Sequence, residues 1–181
     1  ELQRFFGITT PLSADTTDEI WNKTAEMLKS PEYSAKNLIR RSNVEVICTT
    51  DDPADDLKWH KKIAEDKDFH TRVLPTFRPD SVVHIQKDGF VSAIKRLGDA
   101  ADIEIRDFND LKQALKERLS YFVSLGCRVS DHSLTTAVYA PASDDEVNAI
   151  FTSALSGKKQ SAENVLKYQT AVMLCLGELY A

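Results

Sequence analysis

Three short stretches of this sequence are rich in β-branched and apolar residues and become polar at their carboxyl ends. Val44–Ile47 leads into Thr49-Thr50-Asp51-Asp52-Pro53, Arg72–Leu74 into Phe77-Arg78-Pro79-Asp80, and Cys127–Val129 into Ser130-Asp131-His132. Such strands are typical of a parallel α/β sheet, where helices cover both faces and only the strand ends reach solvent. In parallel barrels the active site is assembled from those ends. The pattern therefore predicts an enzyme site built from three strand ends.

The composition is that of a globular protein with a hydrophobic core. The 181 residues include 42% hydrophobic and 28% charged side chains, and the net charge is −5. Because an acidic chain without a basic patch is a poor partner for nucleic acid, that class of ligand is disfavoured. No apolar run approaches the ~18 residues of a membrane span, so we expect no membrane partner. We expect a single domain that covers residues 1–181.

The three cysteines, Cys48, Cys127 and Cys175, show neither a disulfide framework nor metal-ligand spacing. Cys48 and Cys127 lie in strands that we expect to be buried, where a free thiol behaves as a small hydrophobe. These features predict a reducing, cytoplasmic environment. The sequence stops at Tyr180-Ala181, inside a helical pattern that has no glycine or basic cap. We therefore expect it to be a segment of a longer protein.

Helical patterns separate the three strands. Thr16-Thr17-Asp18-Glu19 predicts a capping box, and Asp52-Pro53 predicts a helix start with Asp52 as the N-cap. Residues 80–106 are too many for an ordinary connection, so we expect a helical insertion there, with a turn at Gly98-Asp99. The segment 1–43 is expected to be a second helical insertion. The predicted helices cover residues 16–29, 34–41, 52–64, 92–97, 107–125, 143–155 and 161–180.

Arg78 is the strongest candidate for a ligand-binding residue. It follows a strand and lies between Phe77 and Pro79, whose ring stiffens the backbone. A guanidinium held in this way is a planar fork that matches a carboxylate through two hydrogen bonds, which lysine cannot reproduce. The competing interpretation is a salt bridge to a neighbouring acid such as Asp80.

Asp131 and His132 indicate acid–base chemistry or metal binding, since carboxylate and imidazole are the usual groups for both. Consecutive side chains of a strand point to opposite faces, so at most one of the two is expected to face the site. We favour Asp131 as a catalytic residue and His132 as a structural hydrogen-bonding residue. Thr50 and Asp51 could bind substrate hydroxyl groups or could tie down the turn that follows the first strand. The other histidines (His60, His70 and His84) are predicted to have surface or core roles.

Six segments that include these residues are similar to uronate isomerase, the glucuronate isomerase of the amidohydrolase superfamily. The segments occur in the order and with the spacing of that family over nearly the whole chain. They are Phe6-Gly7-Ile8, Asp18-Glu19-Ile20-Trp21, Tyr33-Ser34-Ala35, Thr49-Thr50-Asp51-Asp52-Pro53, Leu74-Pro75-Thr76-Phe77-Arg78-Pro79-Asp80 and Gly126-Cys127-Arg128-Val129-Ser130-Asp131-His132.

The resemblance implies an α/β, helix-rich fold, namely part of a metal-dependent (β/α)8 TIM barrel with about three parallel strands and large helical insertions. It implies a bacterial enzyme of carbohydrate metabolism that converts D-glucuronate to D-fructuronate and D-galacturonate to D-tagaturonate. Arg78 then matches the arginine that grips the uronate, and Asp131 matches an active-site aspartate. The family's metal-ligand segments, which include a His-x-His strand, have no counterpart here. The resemblance thus places a divalent metal, with zinc favoured, on ligands outside this chain.

Two further expectations follow. The chain alone should lack isomerase activity, and its uncovered strand edges favour a homo-oligomer. Two other functions remain open from the residues alone. One is a non-catalytic helical and sheet module that binds a partner, and the other is a barrel enzyme that acts on acidic sugars without a metal.

Overall fold

The computed structural model describes residues 1–134, 137 and 139–181, which form two compact units. The first unit comprises residues 1–47 and 64–72, and the second comprises residues 48–63 and 73–181. Within the described ranges, every helix is too short or too polar to cross a membrane. The single domain over residues 1–181 and the helical insertions at 1–43 and 80–106 stay predictions.

The first unit contains three α-helices, α1 (Leu2–Phe6), α2 (Thr17–Leu28) and α3 (Ala35–Arg41), and a short 3-10 helix at Pro31–Tyr33. The helices expected at 16–29 and 34–41 are confirmed, and the Ser34 hydroxyl accepts the amide of Asn37 as the N-cap of α3. The capping box at Thr16 is wrong. The Thr16 hydroxyl donates to the carbonyl of Pro11 at 2.7 Å and accepts the amide of Ser13 at 2.9 Å. It is therefore used by the preceding loop and does not bond the amides of α2.

Two short strands, β1 (Val46–Cys48) and β2 (Arg72–Leu74), pair in a sheet. Past the strand ends, the amide of Thr49 bonds to the carbonyl of Leu74 at 3.1 Å and the amide of Asp51 to that of Thr76 at 3.2 Å. Because the paired positions advance in the same direction on both strands, the pairing is parallel. The predicted third strand at Cys127–Ser130 is reduced to a parallel bridge between Ser130 and Phe77. The fold is therefore α/β and helix-rich, with a small parallel sheet.

The prediction that both strand cysteines are buried is half wrong. Cys127 is buried, and its thiol lies 3.3 Å from the carbonyl of Val129. Cys48 is exposed, and so is Val46 on the same strand. The reason is that β2 is the only sheet neighbour of β1 among the described residues, so β1 is an edge strand.

Six helices make up most of the described part of the second unit. Aromatic side chains pack against one another among the aliphatic residues of its core: the ring of Phe151 stacks on that of Tyr168, and Phe77 meets Phe122 edge to face at a centroid distance of 5.1 Å. Aromatic pairs in these geometries add to the stabilisation from area burial. The helices are α4 (Lys58–Ala64), α5 (Asp80–Val83), α6 (Phe90–Ala101), α7 (Phe108–Ser124), α8 (Asp144–Leu155) and α9 (Ala162–Tyr180).

The ends of these helices test the sequence rules directly. Asp107 accepts the amides of Asn109 and Asp110 and closes a capping box at the start of α7, while Ser143 and Ser161 cap α8 and α9. The predicted cap at Asp52 is wrong, because α4 begins only at Lys58. One Asp52 oxygen instead accepts the amide of Ala54 at 2.9 Å, which makes a local turn.

The turn predicted at Gly98-Asp99 is also wrong, since both residues lie inside α6. A Cβ atom at Gly98 would lie 2.6 Å from the carbonyl oxygen of Ile103, which follows the helix. A side chain at position 98 would collide with the backbone of Ile103, which packs against this part of α6. The amide of Ile103 bonds to the Gly98 carbonyl at 3.0 Å. Backbone proximity therefore explains a residue that helix propensity disfavours.

Gly98→Ala is expected to lower the free energy of unfolding by about 1–3 kcal/mol, because the new methyl group forces backbone away from a packed position. Gly177→Ala in α9 is the matched control, since, apart from its chain neighbours and the backbone of its own helix, no atom of a described residue lies within 4 Å of the Cβ it would add. We expect that change to stabilise by roughly 0.5–1 kcal/mol through helix propensity. Urea unfolding of both variants checks the pair, and equal effects at the two glycines would contradict the close approach at Gly98.

Candidate functional site

The three strand ends meet through main-chain hydrogen bonds within the second unit. The Asp51 carbonyl accepts the amide of Arg78 at 3.0 Å, the Val129 carbonyl accepts that of Phe77 at 3.2 Å, and the Phe77 carbonyl accepts that of Asp131 at 3.2 Å. The segment after β2 therefore lies between the other two. Asp51, Arg78 and Asp131 start from neighbouring positions on one edge, as the sequence pattern predicts.

Arg78 lies between two carboxylates. Its Nε donates to Asp80 Oδ2 at 2.7 Å, and its Nη1 lies 3.2 Å from Asp131 Oδ2. The hydrogen bond to Asp80 and the charges of both acids raise the pKa of the guanidinium above its usual value. The salt bridge to Asp80 that competed with ligand binding at the sequence level is thus present, together with a second contact that the sequence did not indicate.

Asp80 is the better anchored of the two acids. Both its oxygens lie within reach of the Ser133 amide, at 3.0 and 3.2 Å. Burial acts to raise the pKa of this carboxyl, but the Ser133 amide and the Arg78 guanidinium outweigh it and hold the pKa below its usual value. The side chain of Asp131 is 47% exposed, so Asp131 is the acid that remains accessible to a ligand.

Asp51 is held in place at the end of β1. Its Oδ2 accepts the hydroxyl of Thr49 at 2.6 Å and the amide of Thr76 at 3.1 Å, and its side chain is only 11% exposed. On the other side, Thr49 lies 2.7 Å from Nε2 of His60 in α4. Because a carboxylate only accepts, the hydroxyl donates to Asp51 and accepts from His60. These bonds match the turn-stabilising alternative for Asp51, while Thr50 beside it is exposed.

Asp52 links this turn to the arginine segment. Its second oxygen accepts the hydroxyl of Ser81 at 2.5 Å, and Ser81 directly follows Asp80 at the start of α5. The residue that the sequence assigned to helix capping therefore holds the first strand end against the second.

His132 points to a partner other than Arg78. Its Nε2 lies 3.2 Å from the hydroxyl of Tyr180, while Asp131 contacts Arg78. Burial lowers the pKa of the imidazole, against the opposing effect of the Asp80 and Asp131 charges. Burial also raises the pKa of Tyr180. The different partners of Asp131 and His132 agree with the expected alternation of the two side chains.

The described residues contain no group of three or more His, Cys, Asp or Glu side chains placed to hold a metal ion. The groups around Arg78 are instead the two carboxylates of Asp80 and Asp131, the first of which also accepts the Ser133 amide. Ser133 is the member that sequence reasoning missed. It contributes only its main-chain amide, and a pattern of side chains cannot predict a contact made by a main-chain group.

Comparison with known proteins identifies the family. A family model described as glucuronate isomerase matches residues 1–181, the whole chain. The chain belongs to the glucuronate isomerase family. This confirms the resemblance drawn from six segments of the sequence.

Curated relatives in the glucuronate isomerase family are longer than this chain. Over 181 residues the chain is 44% identical to the uronate isomerase of Endomicrobium trichonymphae, covering 100% of this chain and 39% of that protein. It is 41% identical over 180 residues to the uronate isomerase of Lachnospira eligens, covering 99% of this chain and 38% of the relative. The chain therefore spans less than two fifths of the length of these relatives.

Solved structures of the glucuronate isomerase family share the fold. A crystal structure of uronate isomerase from Thermotoga maritima matches with a TM-score of 0.88 at 31% identity, over 99% of this chain and 39% of that chain. Glucuronate isomerase from Caulobacter crescentus matches with a TM-score of 0.89 at 24% identity, over 98% of this chain and 37% of that chain. At that identity the second match bears on the fold alone.

Proposed function

We propose that this chain is the substrate-carboxylate-binding part of a uronate isomerase. By family-length enzyme we mean a protein that contains this sequence and is as long as the curated relatives. In that enzyme, this chain would act in the interconversion of D-glucuronate with D-fructuronate and of D-galacturonate with D-tagaturonate. The observation that carries the proposal is the oriented guanidinium of Arg78 at the meeting point of three strand ends. Membership of the family supplies the reaction, an aldose–ketose isomerisation.

Arg78 binds the uronate carboxylate in this proposal. Asp80 holds Nε at 2.7 Å and fixes the plane of the guanidinium, while no described residue accepts a hydrogen bond from Nη2. The Nη edge can thus receive a carboxylate. Because Asp131 is 3.2 Å from Nη1 and half exposed, the incoming anion competes with Asp131 and leaves the Asp80 contact in place. Binding energy at this remote end of the substrate orients the reacting carbons.

Asp131 is the proposed catalytic residue. Displaced from Nη1, its carboxylate can accept a proton from a substrate hydroxyl or orient that hydroxyl for transfer. Thr50 and Asp51 are the proposed hydroxyl-binding residues. The exposed Thr50 offers a hydroxyl, and Asp51 keeps Oδ1 available while Oδ2 is engaged. His132, which bonds to Tyr180, is the proposed structural residue of the segment that carries Asp131.

The family resemblance implies a divalent metal, zinc favoured, which would polarise the substrate carbonyl. The described residues do not form a site that fits such an ion, so we derive no step of the reaction through it. We propose that its ligands lie on other segments of the family-length enzyme. We also propose that the three strand ends belong to a (β/α)8 barrel, with residues 1–43 and 80–106 as helical insertions, in a cytoplasmic homo-oligomer.

The family-length enzyme carrying this sequence is expected to convert D-glucuronate to D-fructuronate when a divalent metal is present, and this chain alone is expected to be inactive. The measurement is the formation of the ketose by each protein, with added metal and with chelator. Absence of conversion by the family-length enzyme with metal would refute the proposed function. Conversion by the 181-residue chain would refute the assignment of the metal ligands to other segments.

A further inference from the structure

A pair of buried polar side chains in the second unit, His84 and Gln169, lies next to the site. His84, directly after α5, is 8% exposed, and Gln169 in the middle of α9 is 6% exposed. Burying an amide and an imidazole costs free energy unless both find hydrogen-bond partners. Gln169 Nε2 lies 3.1 Å from His84 Nδ1, and His84 Nε2 lies 3.1 Å from the carbonyl oxygen of Ser133. His84 and Gln169 are therefore partners of each other, and His84 has the main-chain carbonyl of Ser133 as its second partner.

The chemistry of these contacts selects one tautomer of His84. A carbonyl oxygen only accepts, so Nε2 carries the hydrogen and donates it to Ser133. Nδ1 is then the acceptor, and the Gln169 amide donates to it. One neutral form of the imidazole satisfies both contacts, and Gln169 maintains that form by occupying Nδ1.

The backbone of Ser133 is consequently held on both sides of its Cα atom. Its carbonyl accepts from His84 at 3.1 Å, and its amide donates to both oxygens of Asp80 at 3.0 and 3.2 Å. Asp80 in turn accepts from Arg78 Nε at 2.7 Å. A continuous series of hydrogen bonds thus runs from Gln169 through His84, Ser133 and Asp80 to the guanidinium.

We propose that His84 and Gln169 are positioning residues for the candidate site. Through Ser133 they hold the segment that carries Asp131 and His132 against the Asp80–Arg78 pair. Among the described residues, neither side chain hydrogen-bonds to Arg78 or Asp131, so their effect is transmitted through the backbone of Ser133. The catalytic consequence rests on the proposed function, whereas the ordering of residues 131–134 does not.

The test uses His84→Leu and Gln169→Leu in the family-length enzyme, both of which remove the hydrogen bonds and retain an apolar volume. We expect faster amide hydrogen exchange at residues 131–134 and about a tenfold lower kcat/KM for D-glucuronate. His84→Gln should restore most of both, because its Nε2 can reach the Ser133 carbonyl. That rescue distinguishes positioning from general destabilisation.

Thr170→Val is the matched control. Thr170 is next to Gln169, is equally buried, and its hydroxyl accepts the amide of Ala140 at 2.9 Å, which belongs to a different part of the loop. We expect this variant to leave kcat/KM and the exchange of residues 131–134 unchanged. A thermal unfolding curve for each variant establishes that the proteins compared are folded.

Three outcomes bear on the proposal. Exchange at 131–134 and kcat/KM that stay within twofold of wild type in folded His84→Leu would overturn it. An equal loss of activity in Thr170→Val would overturn it as well, since a general stability effect would then suffice. If wild type does not isomerise uronates but His84→Leu still accelerates exchange at 131–134, the positioning contact is supported and the proposed function fails.

Discussion

Replacing Arg78 with lysine is expected to lower kcat/KM for D-glucuronate by about 100-fold in the family-length enzyme, as the loss of a charged, two-point contact costs about 3 kcal/mol. Lysine keeps the charge but has neither the planar fork nor the Nε hydrogen bond by which Asp80 orients the group. Arg78→Ala should lose at least as much. Steady-state kinetics on both variants is the measurement, and kcat should fall as well as KM rise, because the carboxylate contact also orients the reacting carbons.

Arg128→Lys is the control for that experiment. Arg128 lies three residues before Asp131 in the same segment of the chain. It is exposed and donates to the carbonyls of Val123 and Cys127, away from Arg78. Its replacement should leave kcat/KM within about twofold, as expected for a surface site without a special contact. Unchanged kinetics in Arg78→Ala would eliminate the carboxylate-grip assignment, whatever the control does.

Arg118→Met is expected to lower the free energy of unfolding by about 3 kcal/mol, on the basis of ~1 kcal/mol for each hydrogen bond lost. Arg118 lies within α7 and is 8% exposed. Its guanidinium donates to the carbonyls of Pro53 at 2.7 Å, Asp55 at 2.8 Å and Ala100 at 3.0 Å. Methionine fills a similar volume but leaves all three oxygens without their donors. Desolvation lowers the pKa of this guanidinium, which nevertheless remains charged.

The midpoint of urea unfolding measures the Arg118 effect, and Lys116→Met on the exposed side of α7 is its control. That change should alter the unfolding free energy by no more than about 0.5 kcal/mol. Arg118→Lys should fall between the two, because one ammonium group cannot span three carbonyls. An Arg118→Met variant as stable as Lys116→Met would mean that water replaces the guanidinium at no cost.

The sequence predicted those features that depend on neighbours along the chain. The helices expected at 34–41, 143–155 and 161–180 follow from local patterns, and the structure confirms them. Arg78 at a strand end followed from the same kind of local pattern. Asp131 and His132 have different partners, Arg78 and Tyr180, and the assignment of only one of them to the site stays a prediction.

Two of the failures come from a partner far away in the chain, and a third comes from a close approach of the backbone just past a helix. Asp52 has the sequence of a helix cap, but Ser81, 29 residues later, takes its second oxygen. Gly98 has the sequence of a turn, but it is a helix residue that lies against the returning chain at Ile103. Asp80 and Ser133 are 53 residues apart and meet through a main-chain amide. Such contacts arise only when the helices are packed.

The acceptors of Arg118 also bear on how this part of the molecule can diverge. All three are main-chain carbonyls, at positions 53, 55 and 100. Since every amino acid carries that group, substitutions at these positions can accumulate without removing an acceptor. Position 118 has no such freedom, because only arginine offers donors on three nitrogen atoms in a rigid plane. Substitutions should therefore be tolerated at the three acceptor positions and not at position 118, although the donor and the acceptors are equally necessary to the fold.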